Sequence, residues 1–390
     1  MRQAPATAPP EVDEEHLTSA FILKIAERCN LNCGYCYMYN KGDSSFESRP
    51  KFMSSEVARH ALERIAAYAR RHELEEISLA LHGGEPMLAG RRWIAGFLAD
   101  AQRVAAGAGI SFRFAMQTNG TLIDAEWLAL FGAYDVRIGI SCDGPAEWHD
   151  RMRPDLLGRG SYVAVRRGLD LLQSSYGSNW GVLAVADPTF DGRAVLRHFA
   201  EIGVPSVDFL WPDHHHDDPP PWPPGALGRY FCDLFDLWYA GLADPPHVRW
   251  FESALSLLTG GPSFIDSLGP HPITDVMLES DGTWEPLDVL RTCGNGITRT
   301  GLCASDHDPE SIWSMPLFQT GLHNQALLPA GCRACAYRHV CGGGYLPHRF
   351  RRETGFANAS VHCDDLLATL THIRSRIAGD LRRAGVIAQV

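Results

Sequence analysis

From Phe21 onward, short apolar runs alternate with longer stretches whose apolar residues recur every three to four positions. The short runs predict strands over 21–26, 76–81, 111–117, 136–141, 180–186 and 207–211. The longer stretches predict amphipathic helices over 54–71, 91–106, 124–132, 161–174 and 192–201, the first opened by the capping pair Ser54–Ser55. Strand–helix alternation of this kind builds a parallel sheet through right-handed crossovers, either open or partly closed into a barrel. Several strands run into polar loops at their C-terminal ends, at 82–86, 118–121 and 142–145. In parallel α/β architectures that is the face where ligands bind.

After Trp211 the chain changes character. Residues 212–225, PDHHHDDPPPWPPG, cannot continue a helix or a central strand and predict a surface loop or lid. Helices are expected over 226–241 and 249–259, and 276–287 predicts a hairpin turning at Asp281-Gly282. Residues 288–363 are rich in Cys, Gly and Pro, a composition that depends on a metal or a cross-link for stability. A final helix is expected over 364–384. The division predicted is an N-terminal tail over 1–20, a partial barrel over 21–225, a helical bridge over 226–275 and a cysteine-rich domain over 276–390.

Composition narrows the function. A chain of 390 residues with 45% hydrophobic residues has room for two or three domains, or one barrel with an appendage. The net charge of −11 argues against a nucleic-acid partner or an anionic membrane surface. No window approaches the ~18 uninterrupted apolar residues of a transmembrane helix. The N-terminus has no apolar core of a secretory signal and turns acidic, so a cytoplasmic location is expected. In a reducing compartment the eleven cysteines are free thiols, and the question becomes which of them are ligands.

Directly after the first strand comes Cys29-Asn-Leu-Asn-Cys33-Gly-Tyr-Cys36. Three thiolates on one short loop suit three irons of a cubane cluster and leave the fourth iron open for a ligand. A zinc site borrowing a fourth ligand, or three incidental thiols, are the bland alternatives. The triple, with Tyr35 before its last cysteine, resembles the radical SAM superfamily. The resemblance implies a partial (β/α)6 TIM-like barrel in which S-adenosylmethionine (SAM) chelates the open iron of a [4Fe–4S] cluster. Electron transfer then yields a 5′-deoxyadenosyl radical and methionine. Within the resemblance, His82-Gly83-Gly84-Glu85-Pro86 matches the GGEP element, with Gly83, Gly84, Glu85 and Pro86 placed at the SAM amino group. Gln117-Thr118-Asn119-Gly120-Thr121-Leu122 and Ser141-Cys142-Asp143-Gly144-Pro145, followed by His149-Asp150 and Arg153, resemble the peptide-modifying branch. Thr118, Asn119, Ser141 and Arg153 are thereby candidates for SAM binding. Cys142 and Cys232 are expected to be packing residues.

A second set, Cys332-x2-Cys335-x5-Cys341 and then Cys363 after 21 residues, supplies four thiolates for a closed site. On spacing alone a zinc ribbon stays open as an alternative. The set resembles the auxiliary-cluster signature of SPASM domains, which implies a second, auxiliary [4Fe–4S] cluster. Two cysteines of a full SPASM set are replaced, by Leu287 and Tyr345, so a further auxiliary cluster is not expected. Cys293 and Cys303 are left without evident partners. The aspartate after the replaced cysteine is present, and resemblance to sulfatase-maturing relatives makes Asp288 the candidate general base.

The segment 341–349, the stretch 355–366, Thr292–Gly301 and the motif YNKGDSS most resemble the FxsB-type branch of radical SAM/SPASM maturases. That resemblance implies formation of a three-residue cyclophane in a ribosomally made precursor peptide. It joins an aromatic ring carbon to a nearby Cβ, with an external flavodoxin- or ferredoxin-type electron donor. Thioether formation or formylglycine synthesis on a sulfatase are the alternative outcomes within this enzyme class. A non-catalytic zinc or iron–sulfur module is the alternative of another class. His214, His215 and His216 are consecutive, which is poor geometry for one ion, and are expected to be loop residues. With about 20 residues before the first strand, no separate leader-binding module is expected.

Overall fold

The computed structural model describes residues 17–384, so most of the tail predicted over 1–20 lies outside the described residues. Six parallel strands form the barrel: β1 (Ala20–Ala26), β2 (Glu76–Gly83), β3 (Ser111–Thr118), β4 (Arg137–Ser141), β5 (Trp180–Val185) and β6 (Ser206–Leu210). They lie side by side in chain order. The crossovers carry α1 (Ser55–Arg71), α2 (Arg91–Ala108), α3 (Ala125–Ala133), α4 (Ala146–Met152), α5 (Tyr162–Ser175) and α6 (Gly192–Glu201). The predicted strands and crossover helices match to within a residue or two at each end. Only the short α4 was not foreseen. Three helix starts are set by local side chains. Ser54, Asp124 and Asp191 each accept a hydrogen bond from a backbone N–H of the first turn.

Period-two alternation decides what faces where. Phe21, Leu23 and Ile25 of β1 are buried in the apolar layer beneath the helices. Ile22 and Lys24 therefore point to the other side, into the barrel. Lys24 has no exposed surface, the one charged residue of an otherwise apolar strand.

Two further features extend the barrel sheet. A short β7 (His247–Val248) adds in parallel to β6, ahead of α8 (Arg249–Leu258). The hairpin of β8 (Val276–Leu278) and β9 (Trp284–Pro286) also joins the barrel's own sheet. β8 pairs in parallel with β1, Phe21 opposite Val276 and Leu23 opposite Leu278, giving the order β7-β6-β5-β4-β3-β2-β1-β8-β9. β1 is thus an interior strand, with β2 on one side and the returning chain on the other.

The hairpin turn is longer than a two-residue Asp-Gly turn. Gly282 alone is left-handed, at φ +87°, and Gly282 N–H donates to Glu279 O at 2.8 Å. The reason is that Glu279 and Ser280 are turned inward. Ser280 Oγ donates to Pro50 O at 2.8 Å, and Glu279 joins a buried ion network with Arg49, Glu285 and Arg291. This network fastens the hairpin to residues 49–53, which run beside the end of β1 through Met53 N–H to Ile25 O and Glu27 N–H to Lys51 O.

The helix α7 (Ala226–Ala240) packs against the C-terminal helix Cys363–Arg383. At their crossing the backbone of Gly228 lies against Asp365, whose Oδ1 accepts from Gly228 N–H at 2.6 Å. The loop 212–225 is tied down by its histidines. His214 Nδ1, His215 Nε2 and His216 Nε2 lie within hydrogen-bond distance of the Asp218, Thr292 and Ala359 carbonyls, at 3.0, 2.9 and 2.8 Å. No described helix is long and apolar enough to cross a membrane.

The ion network yields a stability prediction. Arg291 is fully buried and pairs with Glu279 at 2.5 Å and Glu285 at 3.1 Å. Arg291→Ala leaves buried carboxylates uncompensated and is expected to cost about 3–5 kcal/mol in chemical unfolding. A loss below about 1 kcal/mol would show that the network does not hold the hairpin.

Candidate active site

At the C-terminal end of β1 the chain enters the cysteine loop, and the end of β2 packs directly beneath it. Gly83 has φ +142°, and a Cβ there would stand 2.2 Å from Ala26 O. A Cβ on Gly84 would meet Tyr39 Oη at 2.0 Å and Arg28 O at 2.5 Å. Without side chains, Gly84 N–H reaches Ala26 O at 2.7 Å and Glu85 N–H reaches Arg28 O at 2.9 Å. These bonds clamp both ends of the loop's first turn against β2. The glycines act by allowing close backbone approach.

Cys29, Cys33 and Cys36 are half-buried and line one cavity of about 360 Å³. Burial pushes the Cys29 thiol up to about 12 and the Cys33 thiol up to about 11. Burial also raises Cys36. N–H groups are aimed at the sulfurs: Leu31 N at 3.4 Å and Asn119 Nδ2 at 3.7 Å from Cys29, and Arg153 Nη1 at 3.9 Å from Cys33. Three donor sulfurs with N–H partners fit an iron–sulfur cluster, whose irons supply the positive charge that thiolates need in a buried site. Among the described residues no three His, Cys, Asp or Glu side chains converge as ligands of a single ion would.

The other SAM-motif residues divide. Gly83, Gly84, Thr118, Asn119, Ser141 and Arg153 line the cavity with the thiols. Glu85 and Pro86 stand behind this lining. Glu85 is fully buried, and its oxygens accept from Met87 N–H, Thr118 Oγ1 and Asn119 N–H at 2.7–2.9 Å. It is a staple that holds the β3 loop against the β2 turn, with Pro86 opening the next helical turn. Arg153 is buried rather than at the surface. Its Nε donates to Asp143 Oδ2 at 2.9 Å, and the Tyr35 hydroxyl donates to the same oxygen at 2.6 Å. Asp143 thereby orients both the arginine and the aromatic residue of the cysteine triple. Ser141 Oγ accepts from Gln117 Nε2 at 2.8 Å.

Asp288 follows β9 and reaches the same cavity. It is no solvated turn carboxylate. It is buried, paired with Lys24, and accepts from the Tyr37 hydroxyl. Burial alone would raise its pKa, but the Lys24 ammonium, His82 and the hydrogen bonds from Lys24 and Tyr37 overcome it and hold the carboxyl far below the usual range. Lys24 Nζ also donates to Tyr37 Oη at 2.6 Å. Sequence reasoning missed Lys24, although a lone lysine inside an apolar strand was a signal that something buried must pair with it.

In the C-terminal region Cys332, Cys335, Cys341 and Cys363 lie close enough that each raised thiol feels the others' charge, beyond the effect of burial. Burial is the larger cause and pushes Cys341 up to about 12. Arg349 is fully buried beside Cys332 and Cys341, and its Nη2 has no hydrogen-bond partner. An orphaned guanidinium nitrogen beside four thiols fits an anionic cluster. Cys293 and Cys303 do not share a site. Cys293 packs with Leu287 and Leu346 in a small apolar cluster, while Cys303 approaches Asp281 O at 3.8 Å. Leu287 at the expected cysteine position is core, 4% exposed. Cys142 is likewise buried, and Cys232 is half-buried on α7.

Also missed were three further aspartates of the cavity: Asp213 from the loop after β6, and Asp266 and Asp275 from the loop between α8 and β8. Burial, then the neighbouring carboxylates, pushes Asp275 up to about 7, and burial with Asp288 does the same to Asp213 against Lys41 and His214. Both folded values lie above the unfolded one. Their stabilising contribution is therefore complete below about pH 4 and is lost as pH rises through 7. The melting temperature is expected to fall between about pH 4 and pH 7 and to level off above, and Asp213→Asn with Asp275→Asn to flatten that slope. An unaltered slope in the double variant would contradict this reading.

Comparison with known proteins follows the same lines. Residues 23–186 match the family model described as the radical SAM superfamily. The chain is 25% identical over 361 residues to the cysteine-type anaerobic sulfatase-maturating enzyme of Clostridium perfringens (strain 13), covering 88% of this chain and 93% of that protein. It is 25% identical over 349 residues to the serine-type enzyme of Bacteroides thetaiotaomicron, covering 83% and 81%. The solved structure of native anSMEcpe with bound AdoMet and Kp18Cys peptide shares the fold at TM-score 0.81 and 21% identity, covering 93% of this chain and 99% of that one. The superfamily uses SAM with a [4Fe–4S] cluster, as the cysteine triple anticipates. Residues 23–186 thus match the radical SAM superfamily, within a chain similar to anaerobic sulfatase-maturating enzymes over most of its length.

Proposed function

We propose that this protein is a peptide maturase that removes two hydrogens from a ribosomally made precursor and closes a cyclophane between an aromatic carbon and a nearby Cβ. The observation that carries the reading is the single cavity shared by Cys29, Cys33 and Cys36, the SAM-motif residues and a buried, lysine-held Asp288. SAM on a reduced cluster would supply the radical that takes the Cβ hydrogen, and the cluster on Cys332, Cys335, Cys341 and Cys363 would take up the electron released on ring closure. Arg153, Ser141, Thr118 and Asn119 would hold SAM in place. Asp288 would accept the proton that leaves the aromatic carbon, and Tyr37 and Lys24 would keep it ionised and aimed for that task. Tyr345 and Leu287, which line the cavity where a fuller ligand set would carry cysteines, would leave this end of it to organic substrate.

Formylglycine synthesis on a sulfatase is the second reading, favoured by relatives named as sulfatase-maturating enzymes across most of the chain. Co-expression with candidate precursor peptides or with a sulfatase, followed by tandem mass spectrometry, separates the two. Loss of two hydrogens confined to one aromatic-containing tripeptide is the outcome expected. A change centred on a cysteine or serine would instead support the second reading.

Anaerobic reconstitution is expected to give about eight irons per chain and cleavage of SAM to 5′-deoxyadenosine. Tightly bound zinc without SAM cleavage would sink the enzyme reading altogether, and about twelve irons would give Cys293 and Cys303 a ligand role. Asp288→Asn is expected to lower peptide product at least about 100-fold while 5′-deoxyadenosine still forms. Equal loss of both would mean that Asp288 serves the SAM site instead.

A further inference from the structure

Beyond the reacting groups, one end of the cavity carries more negative charge than the fold neutralises. Asp213, Asp266, Asp275 and Asp288 all face it, from the loops after β6, before β8 and after β9. Its buried ammonium, Lys24, is already taken by Asp288 and Tyr37. Among the described residues no lysine or arginine comes within salt-bridge distance of Asp213, Asp266 or Asp275. Lys41 stands near Asp213 but pairs with Asp218 at 2.7 Å. His271 near Asp266 and His214 near Asp213 are both shifted by burial toward their neutral forms.

An independent observation marks the same place. His348 is 2% exposed, lines the cavity, and its Nε2 has no hydrogen-bond partner. The nearest acidic oxygen, Asp213 Oδ1, is 3.7 Å away, too far for a hydrogen bond. A buried imidazole nitrogen left unpaired costs free energy unless something else binds there. Tyr345 stands edge-to-face with His348 at 5.3 Å and offers a ring beside the carboxylates. The acidic groups do not converge as ligands of one metal ion among the described residues, and Asp266 is open to the cavity rather than closed over. Such a wide, shallow-gradient set of acceptors suits an organic cation, which spreads its charge over several N–H groups.

We propose that Asp213, Asp266, Asp275 and His348 form a subsite for a cationic group of the peptide substrate, a guanidinium or ammonium placed next to the residue being modified. The proposal rests on the peptide-maturase reading and adds the charge class of the substrate. Binding would remove the mutual repulsion of the carboxylates, so the affinity gain comes from a defect built into the free cavity. The cation would come from a lysine or arginine side chain, or from a free peptide N-terminus.

The test uses the reconstituted holoenzyme and fluorescent hexapeptides containing one tryptophan. Two positions from it they carry arginine, citrulline or glutamate, each with a free or an acetylated N-terminus. Anisotropy is expected to show the arginine peptide binding at least about tenfold tighter than its citrulline isostere, with glutamate weakest. Asp213→Asn and Asp275→Asn are expected to erase that ratio, with iron content and circular dichroism reporting that each variant is folded. If acetylation, and not citrulline, costs the tenfold, the N-terminal ammonium is the cation bound. Indistinguishable or absent binding across the charge series in the parent enzyme overturns the subsite, whether or not the variants fold. If that same holoenzyme cleaves SAM, the maturase reading stands without the subsite; a chain that holds no iron and cleaves no SAM loses the maturase reading itself.

Discussion

Everything around the site depends on β1 being paired on both edges. Its parallel ladder with β2 brings the Gly83–Gly84 turn under the cysteine loop, and its parallel ladder with β8 brings the hairpin back beside Lys24. A strand hydrogen-bonded on both sides and packed on its outer face has no freedom to shift register without turning Phe21, Leu23 and Ile25 out of the core. The thiols, the SAM-motif loops and Asp288 are therefore referenced to one rigid element. The buried network of Arg49, Arg291, Glu279 and Glu285 completes this by fastening the hairpin to the chain that leaves the cysteine loop.

Burial is the force that sets the electrostatics of the cavity. It raises the thiols at both clusters and the unpaired aspartates, and it is overcome only where a cation is built in, at Lys24 beside Asp288. Charge is thus used sparingly. Each buried cation has a place where an anion or an anionic cluster belongs: Lys24 at Asp288, Arg153 at Asp143 and Cys33, and Arg349 at the four C-terminal thiols.

The short-range features were legible because their causes are local. Capping residues, alternating apolar positions and amphipathic periods act within a few residues, and they placed the barrel strands and crossover helices closely. The cysteine spacings were legible for the same reason, since loop ligands must sit on a short stretch. Orientation was not. Glu85 belongs to a recognisable motif, yet its carboxylate turns to Thr118 and Asn119 because three N–H and O–H donors converge there. The Asp281-Gly282 turn widened because Glu279 and Ser280 are drawn into distant partners at Arg49 and Pro50.

By itself, the sequence determined the alternating strand–helix order, the three-thiol and four-thiol sets, and the absence of cysteine at Leu287 and Tyr345. These are matters of residue identity and near-neighbour spacing. Only the tertiary structure decided that the hairpin extends the barrel sheet, that Lys24 meets Asp288, and that four aspartates share one cavity with His348. Those groups are separated by up to hundreds of positions along the chain. Long-range strand pairing and burial, which no local pattern encodes, are what bring them together.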